Sequence, residues 1–373
     1  MKVATSIALG PKANPELAAQ AVSQAMLKAN ITTANSVLLL LTSEFANDPQ
    51  PAIRAAAKAS NCTQVFGCSA TGIYTEDDWV LDTPAAAAMV FGGDISIQLA
   101  KLNQPQQQAI LTLTAPNAIN NAWLNDGHTR YGGVSGDAIG QGPFSVWQNA
   151  KGDSTGRIEA IFTGAKLATK ASHGLKMLTK PKKIQRVNGY DIELLDNKVP
   201  YVALKRVWDT LNRHKPQSKS DKSASATPLP MHLIMAIYAN TAEAIADGEY
   251  GQTNLICHNE KNGSITLAHP LQTEQFLSWG LRDQAEAEAD LQSTITQLTQ
   301  ELGAKPDFGL LFSCLGRGPF YDGIDHDLKV ITQQLPNMPL LGFYGNGEIA
   351  SIGGETQLLP YSAVLSLFST QTD

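Results

Sequence analysis

Leu341-Gly342-Phe343-Tyr344-Gly345-Asn346-Gly347-Glu348-Ile349 closes an apolar run with a glycine turn, and Phe66-Gly67-Cys68-Ser69-Ala70-Thr71-Gly72-Ile73 does the same near the other end of the chain. In each copy two glycines stand five positions apart. Each copy also follows a strand-like segment, Val37-Leu38-Leu39-Leu40-Leu41 or Phe308-Gly309-Leu310-Leu311-Phe312, with room for a helix between. These strands run into small polar residues, Thr42-Ser43-Glu44 and Ser313-Cys314. Strand, helix, strand and glycine turn, written twice, predict an α/β fold of two pseudo-repeated lobes, with layered mixed β-sheets covered by helices. The pattern leaves open whether the sheets stack face to face or join edge to edge. It places the candidate ligand-binding end at the C-terminal ends of the strands, where open α/β sheets bind their ligands.

Working outward, Asn14 and Pro15 start a helix whose apolar stripe is Leu17, Ala18, Ala21, Val22, Ala25 and Met26. Val37 to Leu41 is apolar throughout, as expected of a strand buried on both faces. Asp48-Pro49 opens a second helix. The middle of the chain is richer in strands and holds another glycine cluster, Tyr131-Gly132-Gly133-Val134-Ser135-Gly136-Asp137. Asn188-Gly189 predicts a hairpin, Tyr201 to Leu211 a helix, and Asp283 to Leu302 a long helix stopped by Gly303. The stretch 215–230 is rich in Ser, Lys, Ala and Pro and reads as a flexible linker, giving lobes of 1–214 and 231–373.

At 373 residues the chain has the length of about two ordinary domains. With 43% hydrophobic and 17% charged residues it can bury a large core, and its net charge of −6 offers no broad basic surface for nucleic acid or anionic membrane. The one basic run, Lys176, Lys180, Lys182, Lys183 and Arg186, has no interleaved aromatics and reads as a solvated strand face. No apolar run approaches the roughly 20 residues of a spanning helix. Only a short mixed stretch, Val3 to Leu9, follows Lys2, so no export signal is expected. Four cysteines without CxxC spacing fit a reducing cytoplasm and give no zinc site or redox pair.

With these residues in hand the chain resembles the FIST family of sensory modules, in both its N-terminal and C-terminal parts. The N-terminal resemblance rests on Val65-Phe66-Gly67-Cys68-Ser69-Ala70-Thr71-Gly72 and Gly132-Gly133-Val134-Ser135-Gly136-Asp137. Ile73 stands where the resemblance leads one to expect a glutamate. The C-terminal resemblance rests on Leu311-Phe312-Ser313-Cys314-Leu315-Gly316-Arg317 and on the Leu341 to Ile349 turn. It implies a stand-alone signal-transduction protein that senses a small ligand, with amino acids the favoured class, and a signalling protein as a further partner.

The residue chemistry points to the same rim. Arg317 and Glu348 both lie just past apolar strands; an arginine can fork onto a carboxylate and a glutamate can receive an ammonium, which together suit a zwitterion. The alternative is that the two bind each other. Candidate ligand-binding residues are Cys68, Ser69, Gly72, Gly133, Asp137, Cys314, Arg317, Tyr344, Asn346 and Glu348, at the lobe interface. Gly345 to Ala350 matches a GxGxxG/A pattern, but Gly353-Gly354 breaks any following helix, so no dinucleotide cofactor is expected. Asp322, Asp325, His326 and Asp327 read as turn and helix cap rather than metal ligands. The favoured reading is a binding protein without catalysis. The alternatives are an enzyme using Cys314 or Glu348, and a protein-interaction adaptor.

Overall fold

The computed structural model describes residues 2–103, 108–137, 140–153, 155–212, 228–320 and 322–370. They gather into two compact units, residues 1–173 with 288–373, and residues 174–287. Most of the stretch expected as a linker, 215–227, lies outside the described residues.

In the first unit one pattern recurs three times. The first repeat runs β1 (Val3–Leu9), α1 (Glu16–Ala29), β2 (Ser36–Thr42), α2 (Gln50–Ser60), β3 (Val65–Ala70), β4 (Gly72–Thr75), β5 (Trp79–Leu81) and β6 (Ala85–Phe91). The second runs β7 (Ser96–Leu99), β8 (Ile110–Thr114), α3 (Asn121–Leu124), β9 (Arg130–Val134), β10 (Val146–Gln148), β11 (Lys151–Gly152) and β12 (Arg157–Thr163). The third opens with β13 (Ala165–Ser172). The second unit follows in sequence, with β14 (Leu175–Met177), β15 (Lys182–Asn188), β16 (Asp191–Leu195), α4 (Pro200–Asn212), β17 (Ile234–Ala239), α5 (Ala242–Ala246), β18 (Gly251–His258), β19 (Ile265–Leu267) and β20 (Phe276–Arg282). The third repeat then resumes with α6 (Gln284–Leu302), β21 (Phe308–Cys314), α7 (His326–Gln334), β22 (Leu340–Gly345), β23 (Glu348–Ile352), β24 (Glu355–Leu359) and β25 (Ala363–Thr370).

The repeats build three six-stranded sheets of one design, β1-β6-β2-β3-β10-β11, β7-β12-β8-β9-β23-β24 and β13-β25-β21-β22-β4-β5. The middle pair of each sheet is parallel, β2 with β3, β8 with β9 and β21 with β22, and all the other pairs are antiparallel. The last two strands of every sheet are a hairpin lent by another repeat. The glycine turn expected at both ends of the chain is thus present in both, and the central glycine cluster is its third copy.

Register makes the equivalence concrete. Gly67 stands opposite Leu39, Gly132 opposite Thr112 and Gly342 opposite Leu311 across the parallel pairs. At each, a Cβ would fall well inside 3.0 Å of the carbonyl oxygen of that partner, so only glycine lets the strands close. Gly67 and Gly132 also have φ of 156° and 148°. On the inner faces, Phe91, Phe162 and Phe368 occupy one equivalent position and pack together, with ring centroids 5.5 Å apart for Phe91 and Phe162 and 4.5 Å for Phe162 and Phe368. Such aromatic pairs contribute about 0.5–1.5 kcal/mol beyond their buried area. Equivalent side chains from three sheets meeting in one core define an approximate threefold axis.

The outer faces are covered by helices. Leu17, Ala18, Ala21, Val22, Ala25 and Met26 of α1 are buried with Val37, Leu39 and Leu41, while Leu38 and Leu40 face the inner core. This is why β2 is apolar on both sides. Asn14 Oδ1 accepts the N–H of Glu16 at 3.0 Å, as expected of a residue at the helix start. Leu291, Ile295, Leu298 and Leu302 of α6 cover β21, β22 and β25 in the same way.

In the second unit β20, β15, β16, β19, β18 and β17 close a ring of six antiparallel strands, because β17 also pairs with β20. Ile184, Ile192, Leu204, Ile265 and Trp279 fill it. The basic run lies on its surface, with Lys183 paired to Glu274 and Arg186 to Glu193. No helix among the described residues is long and apolar enough to cross a membrane.

Candidate functional site

All residues of the candidate site belong to the first unit. Four positions after the equivalent glycines come Thr71, Gly136 and Asn346, and these meet where β3, β9 and β22 end. A Cβ on Gly136 would sit 2.9 Å from Asn346 Oδ1 and 3.0 Å from Thr71 Oγ1, so the missing side chain leaves room for the other two. Hydroxyls line the adjoining layer. Ser135 Oγ donates to the Ser69 carbonyl at 2.6 Å, and Ser69 Oγ accepts the N–H of Ser145 at 3.0 Å. Thr71 Oγ1 is buried and has no partner among the described residues. The Asp137 carboxylate holds the following loop by accepting the N–H groups of Gly140 and Gly142.

Beside this apex lies a buried polar cluster. Glu348 opens β23 opposite Gly133, and its exposure is 0%. Its Oε2 accepts the N–H of Ser362 at 3.2 Å, while Oε1 is buried without a partner among the described residues. Burial pushes this carboxyl well above the usual range, against the smaller opposing pull of the Ser362 N–H and of Arg317. Ser362 Oγ lies 3.4 Å from His173 Nδ1. Burial, offset in part by Asp290, holds the His173 imidazole down to about 4. Asp290 Oδ2 accepts from both the His173 backbone N–H at 2.8 Å and the Ser172 hydroxyl at 2.7 Å.

Arg317, 2% exposed, places its fork on Asp327, with Nε to Oδ2 at 2.8 Å and Nη2 to Oδ1 at 3.2 Å. It also donates to the Ser172 carbonyl at 2.6 Å and to Ser172 Oγ at 2.9 Å. Tyr344 donates its hydroxyl to Asp325, whose other oxygen caps α7 through the Leu328 N–H at 2.9 Å. Burial and the neighbouring Asp327 push the Asp325 carboxyl up to about 6. Among the described residues no cluster of ligating side chains could hold a metal ion.

Most of the residues read from the sequence stand near one another here. Glu348 faces Gly133 across the β9–β23 pair, and Gly72 faces Tyr344 across β4–β22. The Cys314 N–H donates to the Ser362 carbonyl, one residue chain away from Glu348. Asn346 is exposed at the apex, Ser69 is buried in the adjoining hydroxyl layer, and Asp137 begins the next loop. Cys68 is different in kind: it is wholly buried in the central core, and burial pushes its thiol far up. Arg317 takes Asp327 as its ion-pair partner, a pairing that neither sequence alternative contained. Ser172, His173, Asp290, Ser362, Thr71 and Ser135 escaped the sequence reading. Of these, Thr71 and Ser135 carried a signal, as members of the first and third glycine clusters.

Residues 204–351 match the FIST C domain, a stretch that includes Cys314, Arg317, Tyr344, Asn346 and Glu348. An uncharacterized protein of Mycobacterium tuberculosis is 24% identical over 243 residues, 65% of this chain and 61% of the relative. An uncharacterized protein of Mycobacterium bovis is 25% identical over 238 residues, 64% of this chain and 59% of the relative. The alignments thus span about three-fifths of these relatives' own length.

Proposed function

We propose that this chain, a FIST-type protein by its C domain at 204–351 and thereby tied to sensory and signal-transduction modules, binds a small ligand in the reducing cytoplasm at the end of the first unit where β3, β9 and β22 finish. The observation that carries this reading is Glu348: a wholly buried carboxyl with one oxygen unpartnered among the described residues, set among Ser362, His173, Ser172 and Arg317. An unsatisfied buried polar group costs about 1–3 kcal/mol, and packing alone gives no reason to keep it. Thr71 Oγ1, at the adjoining apex, is a second such atom. An amino acid is the class that the family resemblance favours. It would meet an arginine whose fork already rests on Asp327. The loop after β21 exposes Phe320 and Ile324, where a signalling partner would read occupancy.

A thermal-shift screen of metabolites on the wild-type chain and on Asn346→Ala tests this. Saturating ligand at 100 times its dissociation constant adds about 2.7 kcal/mol. A hit that shifts both proteins alike would place the ligand elsewhere and overturn the assignment. The second reading, an enzyme with Glu348 as general acid, has that raised carboxyl in its favour. Product formation from a screened compound, lost in Glu348→Gln, would favour it over the sensor.

A further inference from the structure

We infer that Glu348 donates a hydrogen bond from Oε1 to the carbonyl oxygen of an uncharged ligand such as an amide or lactam, and that each chain holds one such site. This rests on the binding site proposed above and names what that site reads.

The geometry divides the carboxyl into two unlike oxygens. Oε2 accepts the Ser362 N–H and so acts as the carbonyl oxygen. Oε1 is left buried and, among the described residues, unpartnered. In a side chain of 0% exposure the proton belongs on the oxygen that accepts nothing, which makes Oε1 a hydroxyl donor. An ammonium would need the ionised form.

The surrounding charges argue against an anionic ligand. The Arg317 guanidinium is matched by Asp327. Asp290 takes the Ser172 hydroxyl and the His173 N–H, and Asp325 takes the Tyr344 hydroxyl. His173 is held neutral by its burial, with Lys170 and Arg317 acting on it in the same sense. A carboxylate ligand would add negative charge beside three aspartates and one committed arginine. An uncharged carbonyl adds none and accepts what Oε1 offers.

The threefold repetition fixes the count. Glu348 stands opposite Gly133, Ile73 opposite Phe343 and Val146 opposite Cys68, which are equivalent places in the three sheets. Two of the three are apolar and belong to the central core, so neither can donate.

Infrared difference spectra of wild type against Glu348→Gln at neutral pH, with NMR titrations of four probes, test the inference. The probes are 2-pyrrolidone, pyrrolidine, propionate and glycine. A protonated-carboxyl stretch is expected in the wild type and absent from the variant. Saturable binding of 2-pyrrolidone at one per chain is expected, weakened about tenfold in Glu348→Leu and kept in Glu348→Gln, whose amide still donates. An ionised-carboxylate band overturns the inference, as does saturation at three per chain. Binding of pyrrolidine or glycine that Glu348→Gln abolishes overturns the ligand class and upholds the site. Binding that Glu348→Leu leaves untouched, or saturation by none of the four, overturns both. If Glu348→Leu does not fold, the infrared comparison decides by itself.

Discussion

Replacing Gly132 by alanine drives a methyl group into the Thr112 carbonyl, and the cost can be worked from the structure. The added Cβ would lie well inside 3.0 Å of that backbone oxygen, which no rotamer change relieves. The residue also sits at φ 148°, where L side chains are strained. Strain of this kind costs about 1–3 kcal/mol and overpacking another 1–3 kcal/mol, so the expected loss is about 2–6 kcal/mol. Against a total stability of about 5–15 kcal/mol that is a large fraction. At about 2–4 °C per kcal/mol for a domain of this size, the melting temperature should fall by about 4–24 °C. Gly67→Ala meets the same obstacle at Leu39 and should fall by a comparable amount, while Gly342→Ala meets it at Leu311 without the φ strain and should lose about 1–3 kcal/mol. Gly353→Ala is the control, since its φ is 59° but nothing lies within 4 Å of the added Cβ. It should lose about 1 kcal/mol. Calorimetric melting of the four variants checks this. If the three strand variants lose no more than Gly353→Ala, carbonyl contact is not what keeps glycine there.

Arg317→Ala should cost about 3–5 kcal/mol by leaving Asp327, itself 3% exposed, buried without its counter-charge; urea unfolding should show the loss, with a large part recovered when Asp327→Leu is added to Arg317→Met. For Asp325, between the ordinary 3.8 and about 6 the folded state keeps a proton that the unfolded chain has released, so its contribution lowers stability as pH rises through that window. Unfolding free energies measured across it should lose this slope in Asp325→Asn, which still accepts the Leu328 N–H. His173 acts in the opposite sense: between its ordinary 6.5 and about 4 the unfolded chain takes up the proton first, so stability falls as pH falls, and His173→Gln should flatten that limb. Replacing residues 174–287 by a short Gly-Ser linker should leave the first unit folded, because the His173 N–H already reaches Asp290 at 2.8 Å; circular dichroism and a cooperative melt check this, and a molten product would refute it.

The duplicated turn was legible because Gly67 and Gly342 follow unbroken apolar strands with a helix between, a pattern set by burial of both strand faces. The third copy was harder to see. Tyr131-Gly132-Gly133-Val134 carries the same glycine, but β8 alternates Thr112 and Thr114 with leucines, and the described residues between β7 and β8 hold no helix like α1. The sequence marked Arg317 and Glu348 because both follow strands directly. It missed Asp327 as the partner of Arg317 because turn and helix-cap chemistry explains an Asp-His-Asp run equally well, and Asp325 does cap α7. Ser172, His173 and Ser362 belong to strand ends that only the β13–β25 pairing brings together. No local spacing encodes a contact set by strands so distant in the chain.

The lending of hairpins among the three sheets orders events while the chain is being made. β4 and β5 emerge early, yet the strand they join is β22, with Gly72 waiting for Tyr344. β9 likewise waits for β23 to cover its far edge. Only the first sheet can finish before the last third of the chain has left the ribosome. Until then the nascent chain presents open strand edges and the apolar side chains of a core missing one wall, the situation in which chains pair with the wrong neighbour. Contacts so distant in sequence also make for slow closure. A protein built this way depends on being held apart from its copies until its own C-terminus arrives, and refolding yield should fall steeply with concentration.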